Sequence, residues 1–418
     1  MRHGVRARTG GPGAAAGGLA AALLLGGAAP AGADDGRQIQ LGLEELYYRT
    51  AEAPLNRGNL LDLSPGESLL RGTLAWRETR GALRVVGKGF VERRWGRTSL
   101  TSWTAREAYV QYGFGEGLSL RAGKQRVAWG SGFAWNPTNR IEPPKNPLNT
   151  GLEQEGALAL RLDFIPTPWA GVILLAARSA TGFGDLPFAT EGPRRRTAAL
   201  RARFLVRDTD LAFVYSGGTA QRTVLGLDAA RSLGALALHA EVATYRGAEL
   251  PPAREGQRFW RAAVGGLRTF GESTSVSLEY FLNQEGYRDA ARAEYLAALE
   301  SAAARALSPL TAPAERAAAF QAYGGLARAP YAGGLGLGRH YLQGAVTRSS
   351  PGGRWTTAAR GVLGLTDLGL ALTPGLSFAP RGDVTTHLDA VLLFGSRESE
   401  YRLSPIRGAV QARVRFLF

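Results

Sequence analysis

Four histidines, at positions 3, 239, 340 and 387, are the chain's whole supply of imidazole, and there is no cysteine. That short inventory excludes much chemistry. No His-Glu-x-x-His pair stands at metal-binding spacing, no Gly-x-Ser-x-Gly elbow presents a nucleophile, and no Gly-x-Gly-x-x-Gly turn precedes a helix to hold a phosphate. Without cysteine there is no disulfide framework, no thiolate metal site and no lipid-attachment thiol. His239 and His340 fall in different predicted strands, and a barrel-embedded hydrolase would need a serine beside one of them at the membrane rim. No motif marks such a serine. The expectation is a protein that is not an enzyme, with no catalytic residue, no cofactor and no metal.

Arginine is the side chain that remains. Its guanidinium binds carboxylate and phosphate in a fixed planar fork. The formal charge is +15, and three of the arginines lie in residues 1–33 with no acid, leaving +12 for the rest. The basic residues are spread singly instead of forming a stripe, and no nucleic-acid motif accompanies them, so no nucleic-acid partner is expected. The question becomes which elements position them.

Arg2, Arg6 and Arg8, then an apolar run densest at Leu19–Leu25, then Ala31-Gly32-Ala33 follow the order of a secretory signal peptide cleaved near Ala33. Its apolar part is too short to span a bilayer, and no later stretch reaches the roughly 20 apolar residues of a membrane helix. Beyond residue 33 the dominant signal is a period of two, which puts successive side chains on opposite faces of a strand. Leu158, Leu160, Leu162 and Phe164 alternate with Arg161 and Asp163. Ala198, Leu200, Ala202, Phe204 and Val206 alternate with Arg201 and Arg203. Leu236, Leu238, Ala240 and Val242 alternate with His239 and Glu241.

About eighteen such segments start near residues 38, 68, 82, 105, 118, 157, 170, 198, 210, 222, 235, 258, 274, 339, 354, 368, 385 and 408. Short turns rich in Gly, Pro, Asp and Ser connect alternate pairs. Most of the other connections are long, at 49–67, 93–103, 126–156, 179–197, 246–257, 284–338 and 395–407. Turns at one end and loops at the other describe an outer-membrane barrel. A secreted β-sandwich or propeller is the soluble alternative. Segment length, the lack of a blade-length repeat and aromatics near segment ends, such as Tyr47, Trp76 and Trp260, favour the barrel. The prediction is all-β: a transmembrane antiparallel barrel of 16–18 strands over residues 34–418, with a helical extracellular loop insertion at 284–338.

In such a barrel the apolar parity faces lipid, and an arginine there near the midplane would cost about 2–4 kcal/mol. Arg161, Arg201, Arg203, Arg261, Arg413 and Arg415 are therefore predicted to face the lumen. They either bias a water-filled channel toward anions or pair with lumen acids such as Asp163, Glu241, Glu279 and Asp389 and brace the wall. At the C-terminus, Val410, Ala412, Val414, Phe416 and Phe418 share one parity. Gram-negative outer-membrane proteins typically end on such a strand, and the similarity implies that Phe416 and Phe418 form the signal read by the barrel-assembly machinery.

The stretch 123–147 departs from the pattern. Lys124 and Arg126 fall on the parity of Leu118 and Leu120, so either Gly123 carries a bulge or the strand has left the bilayer. The strand end Gly123-Lys124-Gln125-Arg126, followed by Trp129-Gly130 and Trp135-Asn136-Pro137-Thr138, resembles a motif in Gram-negative porin-like barrels. These include alginate-export-like and uncharacterised eighteen-stranded porin families. In general porins the third loop folds into the lumen. The resemblance implies that Arg126, Trp129, Trp135, Asn136, Arg140 and Lys145 line a constriction, against a surface loop tied down by buried tryptophans. Asp289 to Ala306, with Leu296, Leu299 and Ala303 at helical spacing, and Ala314 to Tyr323 carry helix formers, separated by an interruption at Pro309 and Pro313. They read as a helical hairpin that caps the pore, gates it or binds a partner.

The functional expectation is a channel for passive or selective diffusion of small solutes, anionic or sugar-like, set in outer-membrane lipid. A structural or adhesive barrel that binds a partner through its helical loop is the other class. Whether the barrel is a monomer or a trimer is not encoded, because lipid-facing and subunit-facing apolar strands look alike.

Overall fold

In the computed structural model, all eighteen predicted segments are strands. The structure describes residues 38–96, 99–147, 155–179, 195–219, 221–248, 250–251, 256–271, 273–332 and 336–418. Residues 1–33, expected from sequence to be a signal peptide, lie outside them. The strands are β1 (Gln38–Thr50), β2 (Gly66–Arg80), β3 (Leu83–Trp95), β4 (Ser99–Gly113), β5 (Leu118–Gln125) and β6 (Ala157–Thr167). Next come β7 (Ala170–Ser179), β8 (Arg195–Val206), β9 (Thr209–Thr219), β10 (Gln221–Leu233), β11 (Leu236–Arg246) and β12 (Arg258–Phe270). The last six are β13 (Thr274–Asn283), β14 (His340–Ser349), β15 (Trp355–Gly364), β16 (Leu370–Arg381), β17 (Val384–Phe394) and β18 (Ile406–Leu417).

Each strand pairs antiparallel with its neighbours in sequence, and β18 returns to β1. Closure removes both sheet edges, so the backbone groups of every strand find partners within the wall. The closing register runs from Gln40 opposite Leu417 to Arg49 opposite Gly408. Beyond it, Phe418 N–H donates to the Ile39 carbonyl at 2.8 Å and Ile39 N–H donates to the Phe418 carbonyl at 3.1 Å.

Alternation sorts the side chains as the sequence implies. On β6, Leu160 is 52% exposed while its neighbour Ala159 is 6% exposed, so the leucines face outward and Arg161 and Asp163 face in. The same holds on β18, where Val410 and Phe416 are exposed outside and Gln411, Arg413 and Arg415 point inward.

One expected loop is corrected. Residues 93–103 are mostly strand: β3 runs to Trp95, and β4 begins at Ser99 with Val91 opposite Trp103. The alternation continues past the point expected to be loop, so the connection between the two strands is residues 96–98. At Gly123 there is no bulge. β5 keeps continuous register with β4 and β6 through Lys124. Lys124 therefore stays on the outer parity, at the loop-end rim, and pairs there with Glu155. Gly123 itself has φ +124°, and a Cβ would lie 2.3 Å from the Ala108 carbonyl oxygen, so glycine is required by both conformation and space.

Two helices fill the longest loop, α1 (Asp289–Leu307) and α2 (Pro313–Ala332). The second extends past Tyr323, where the sequence reading stopped. Ala327 packs on the same face as Ala319 and Tyr323, and all three are buried. Among the described residues no helix is long and apolar enough to cross a membrane, which says nothing about strands.

Candidate functional site

The third long loop, residues 126–147 of the described chain, lies inside the barrel. Its start is a clamp. Glu142 accepts from Arg126 Nε at 2.9 Å and from the Val127 backbone N–H, and Asn139 Nδ2 donates to the Val127 carbonyl at 2.7 Å. Val127, Trp129 and Ile141 then pack against an apolar patch on the inner wall made by Ala159, Ile173, Leu175, Ala177, Ala199 and Val214. Strands β6 to β9 supply that patch, so at this level they are apolar on both faces. Water has no place between two such surfaces, and the loop covers what the alternation rule would have made polar.

Further along, three wall carboxylates hold the loop, two of them by its backbone. Asp228 on β10 accepts from Ser131 Oγ. Glu241 on β11 accepts from Gly132 N–H at 2.6 Å and from Thr138 Oγ1 at 2.7 Å. Glu279 on β13 accepts from the N–H groups of Phe133, Ala134 and Trp135, the last two at 3.1 and 3.0 Å. A carboxylate accepts several hydrogen bonds at once, which suits it to consecutive backbone donors in a tight turn. His239 also meets Glu279, Nε2 to Oε2 at 2.7 Å, across the intervening β12. Gly265 stands between them in register, and a Cβ there would lie 2.8 Å from the imidazole. Past the carboxylates, Trp135 stacks on Phe281 of β13 at 4.8 Å and 7°, with Tyr341 of β14 beside it. Lys145 donates to the Gly132 carbonyl and ties the loop to itself.

The six loop residues picked from sequence are thus placed as follows. Trp129 and Trp135 are 2% and 5% exposed, packed against opposite stretches of inner wall. Asn136 Nδ2 donates to the Trp129 carbonyl at 2.9 Å. Arg126 and Lys145 are partly exposed within the loop's own hydrogen bonds. Arg140 reaches toward the Tyr245 ring and Arg261. Burial, then Arg261, pulls its pKa down to about 9. Burial likewise lowers the pKa of Lys145, and it raises that of Glu142 against the opposing pull of Arg126 and the Val127 N–H.

Of the wall arginines, Arg161 pairs with Asp163 at 2.6 Å, Arg203 with Asp210 at 2.7 Å and Arg261 with Glu285 at 2.9 Å. Arg413 pairs with Asp389 at 3.1 Å, and Arg201 lies 3.6 Å from Asp228. Arg415 shares a polar cleft in the lumen with Gln40, Glu44, Lys88, Arg106 and Arg413. Arg106 was missed from sequence. It occupies a bulge opposite Lys88 and Gly89, which turns it inward over the Phe90 ring at 4.7 Å. Asp228 was missed as well, although its place between the outward-parity residues Leu227 and Ala229 of β10 is plain alternation.

The histidines do not converge. His239 faces in, toward Glu279. His340 lies opposite Leu282 on the outer parity, its Nδ1 2.6 Å from the Tyr280 hydroxyl. The two are on opposite faces of the wall and share no serine.

Over the loop end, the helical hairpin packs into the mouth. Tyr295, Leu299, Ala302 and Ala303 of α1 and Tyr323 and Ala327 of α2 form one cluster with the inward-facing Leu46, Tyr48 and Leu69 of β1 and β2 and with Leu55 of the first loop. The Tyr323 hydroxyl accepts from Arg57 N–H at 2.6 Å and donates to the Pro54 carbonyl at 3.0 Å.

No protein-family model matches the sequence, and no curated protein matches it. Solved structures do. OccK11 (OpdR) of Pseudomonas aeruginosa superposes with a TM-score of 0.53 at 10% identity, covering 91% of this chain and 96% of that one. Pseudomonas aeruginosa OprD superposes at 0.52 and 8% identity, covering 92% and 95%. This is the fold of a porin-like outer-membrane barrel. Wzi of Escherichia coli, described as an outer-membrane protein involved in group 1 capsule assembly and a carbohydrate-binding β-barrel, has the same fold at 0.53 and 12% identity, covering 91% and 84%.

Proposed function

We propose that this chain is an outer-membrane channel whose third loop narrows the lumen and whose remaining open wall favours small anionic solutes. The observation that carries this reading is an asymmetry. Asp228, Glu241 and Glu279 are engaged by the loop, whereas the lumen cleft is bordered by four basic residues, Lys88, Arg106, Arg413 and Arg415, against Glu44 in its lining and Asp389 paired with Arg413. A low-dielectric wall concentrates the field of such a cluster and raises the local concentration of anions. In a salt gradient across a planar bilayer, the wild-type reversal potential is expected on the anion-selective side. Arg413→Glu with Arg415→Glu should lower the anion-to-cation permeability ratio by about threefold or more. A cation-selective wild type, or a ratio untouched by the two reversals, overturns the anion reading.

A second reading is a capped binding barrel, favoured by the hairpin packed into the mouth and by the fold shared with carbohydrate-binding Wzi. Single-channel recording separates the two, since a capped binder stays silent.

The same proposal places the chain behind a leader cleaved near Ala33 and delivers it through the barrel-assembly machinery by its last strand. Removing Phe418 deletes the two backbone hydrogen bonds to Ile39. Two exposed bonds are worth about 1–2 kcal/mol together, so a barrel refolded in detergent should tolerate the loss. Assembly in cells should fall much further, read as the heat-modifiable folded band. An equal loss in both settings would assign Phe418 to stability alone.

A further inference from the structure

On the outer face of the wall, Arg178 of β7 stands directly opposite Arg196 of β8, and both are exposed. Both sit at the loop end of their strands, where an outward arginine costs little, about 0–1 kcal/mol. Like charges directly opposite each other in an antiparallel pair are nevertheless destabilising. Among the described residues no carboxylate pairs with either of them. The arrangement calls for an anion between them. Opposed positions in a ladder are about 5 Å apart, so two guanidinium forks can close on one group with several terminal oxygens.

The surface below them is equally specific. The next outward row down holds Leu160, Ala176, Ala198 and Gly217, in register across β6 to β9. The row after that holds Leu162, Leu174, Leu200 and Tyr215. Two methyl groups and a glycine, bordered by leucines and a tyrosine ring, leave an apolar groove in the lipid-facing wall. It begins one outward row, about 7 Å, below the arginines. A second opposed pair, Arg246 and Arg258, has no such groove, because Trp260 and Thr244 fill the row below it.

We infer that the outer face of β7 and β8 binds a lipid carrying a phosphate monoester. Its phosphate lies between Arg178 and Arg196, and an acyl chain lies over Ala176 and Ala198. The two features select different parts of one molecule. The charges choose the phosphate, and the groove accepts a flexible hydrocarbon where flat wall would offer less contact.

The test is native mass spectrometry of the full barrel in detergent, titrated separately with dioctanoyl phosphatidic acid, the matching diacylglycerol and inorganic phosphate. Phosphatidic acid is expected to bind at least about tenfold more tightly than either fragment, the size of one or more charge-assisted hydrogen bonds. Arg178→Gln with Arg196→Gln should bring it down to the diacylglycerol level. Ala176→Trp, which fills the groove and leaves the arginines, should weaken it as well. Arg246→Gln with Arg258→Gln should leave it unchanged. Retained heat-modifiable migration certifies that each variant is folded. Equal binding of diacylglycerol removes the role of the arginines. Equal binding of inorganic phosphate removes that of the groove. Equal loss from the two double variants means general surface charge. A change of oligomeric mass in Arg178→Gln with Arg196→Gln, with lipid binding intact, makes this face a contact between copies of the chain. Each of these four results overturns the inference.

Discussion

Glu279→Ala is expected to release the Trp135 half of the third loop and raise single-channel conductance while leaving the barrel folded. Glu279 is fully buried and accepts from three consecutive backbone N–H groups and from His239. Each buried donor left without an acceptor costs about 1–3 kcal/mol, so the docked turn loses several kcal/mol at once. Against this stands the stacking of Trp135 on Phe281, worth about 0.5–1.5 kcal/mol beyond its burial. The hydrogen-bond loss wins, and the turn leaves the wall. The Trp129 half should stay, because the Arg126–Glu142 clamp and the apolar patch under Val127 and Ile141 do not involve Glu279. Glu279→Gln keeps one acceptor oxygen but brings an amide N–H₂ into a ring of donors, so it should fall between wild type and alanine. Tryptic cleavage after Lys145 reports loop release independently of current. Wild-type conductance and an uncut loop in the alanine variant would show that the carboxylate is not the anchor.

The wall was legible in the sequence because a barrel strand has two faces with different solvents, and that difference is written residue by residue. The C-terminal stripe from Val410 to Phe418 and the leucine rows of β6 follow from it directly. The same rule explains what was hard to read. Ala170–Ala177 is apolar at nearly every position, Ala-Gly-Val-Ile-Leu-Leu-Ala-Ala. Alternation counts this as an ordinary strand, yet Ile173, Leu175 and Ala177 face a lumen that should be polar. A strand apolar on both faces in a barrel implies a cover on the inside, and here the third loop is that cover. The carboxylates were a weaker signal. Glu241 and Glu279 read as lumen acids free to balance arginines, and nothing in their spacing says that backbone N–H groups from a loop 109 and 145 residues earlier would occupy them. Long-range pairing of that kind has no local signature. The helical hairpin was legible as helices from propensity, but the face it buries depends on Leu46, Tyr48 and Leu69, which alternation assigned only to a strand.

That apolar junction makes the hairpin the second large lever. Leu299→Asp is expected to lift α1 and α2 out of the mouth. Leu299 is fully buried among Tyr295, Leu55 and Leu63, where losing the side chain alone costs about 2–5 kcal/mol. An uncompensated carboxylate adds to that. The hydrogen bonds of Tyr323 to Pro54 and Arg57 and the contacts of Arg292 with Asp367 and the Glu398 carbonyl are too few to hold the hairpin against such a penalty. The barrel wall closes through its own ladder and should survive. The chain has no cysteine, so a single Leu46→Cys gives a unique reporter on the inner wall beneath the hairpin. It should resist a membrane-impermeant maleimide when the hairpin is seated and react once Leu299→Asp is added. Equal labelling in both backgrounds would mean that the hairpin does not cover that wall in solution. Combining Leu299→Asp with Glu279→Ala then tells how the two obstructions are arranged. Resistances in series add, so removing the narrower one changes the current most, and removing the second matters only afterwards. If Glu279→Ala raises conductance only when Leu299→Asp is also present, the hairpin limits the current and the third loop lies behind it. If each raises it alone, the two loops narrow the path to similar degrees, and solutes must pass both.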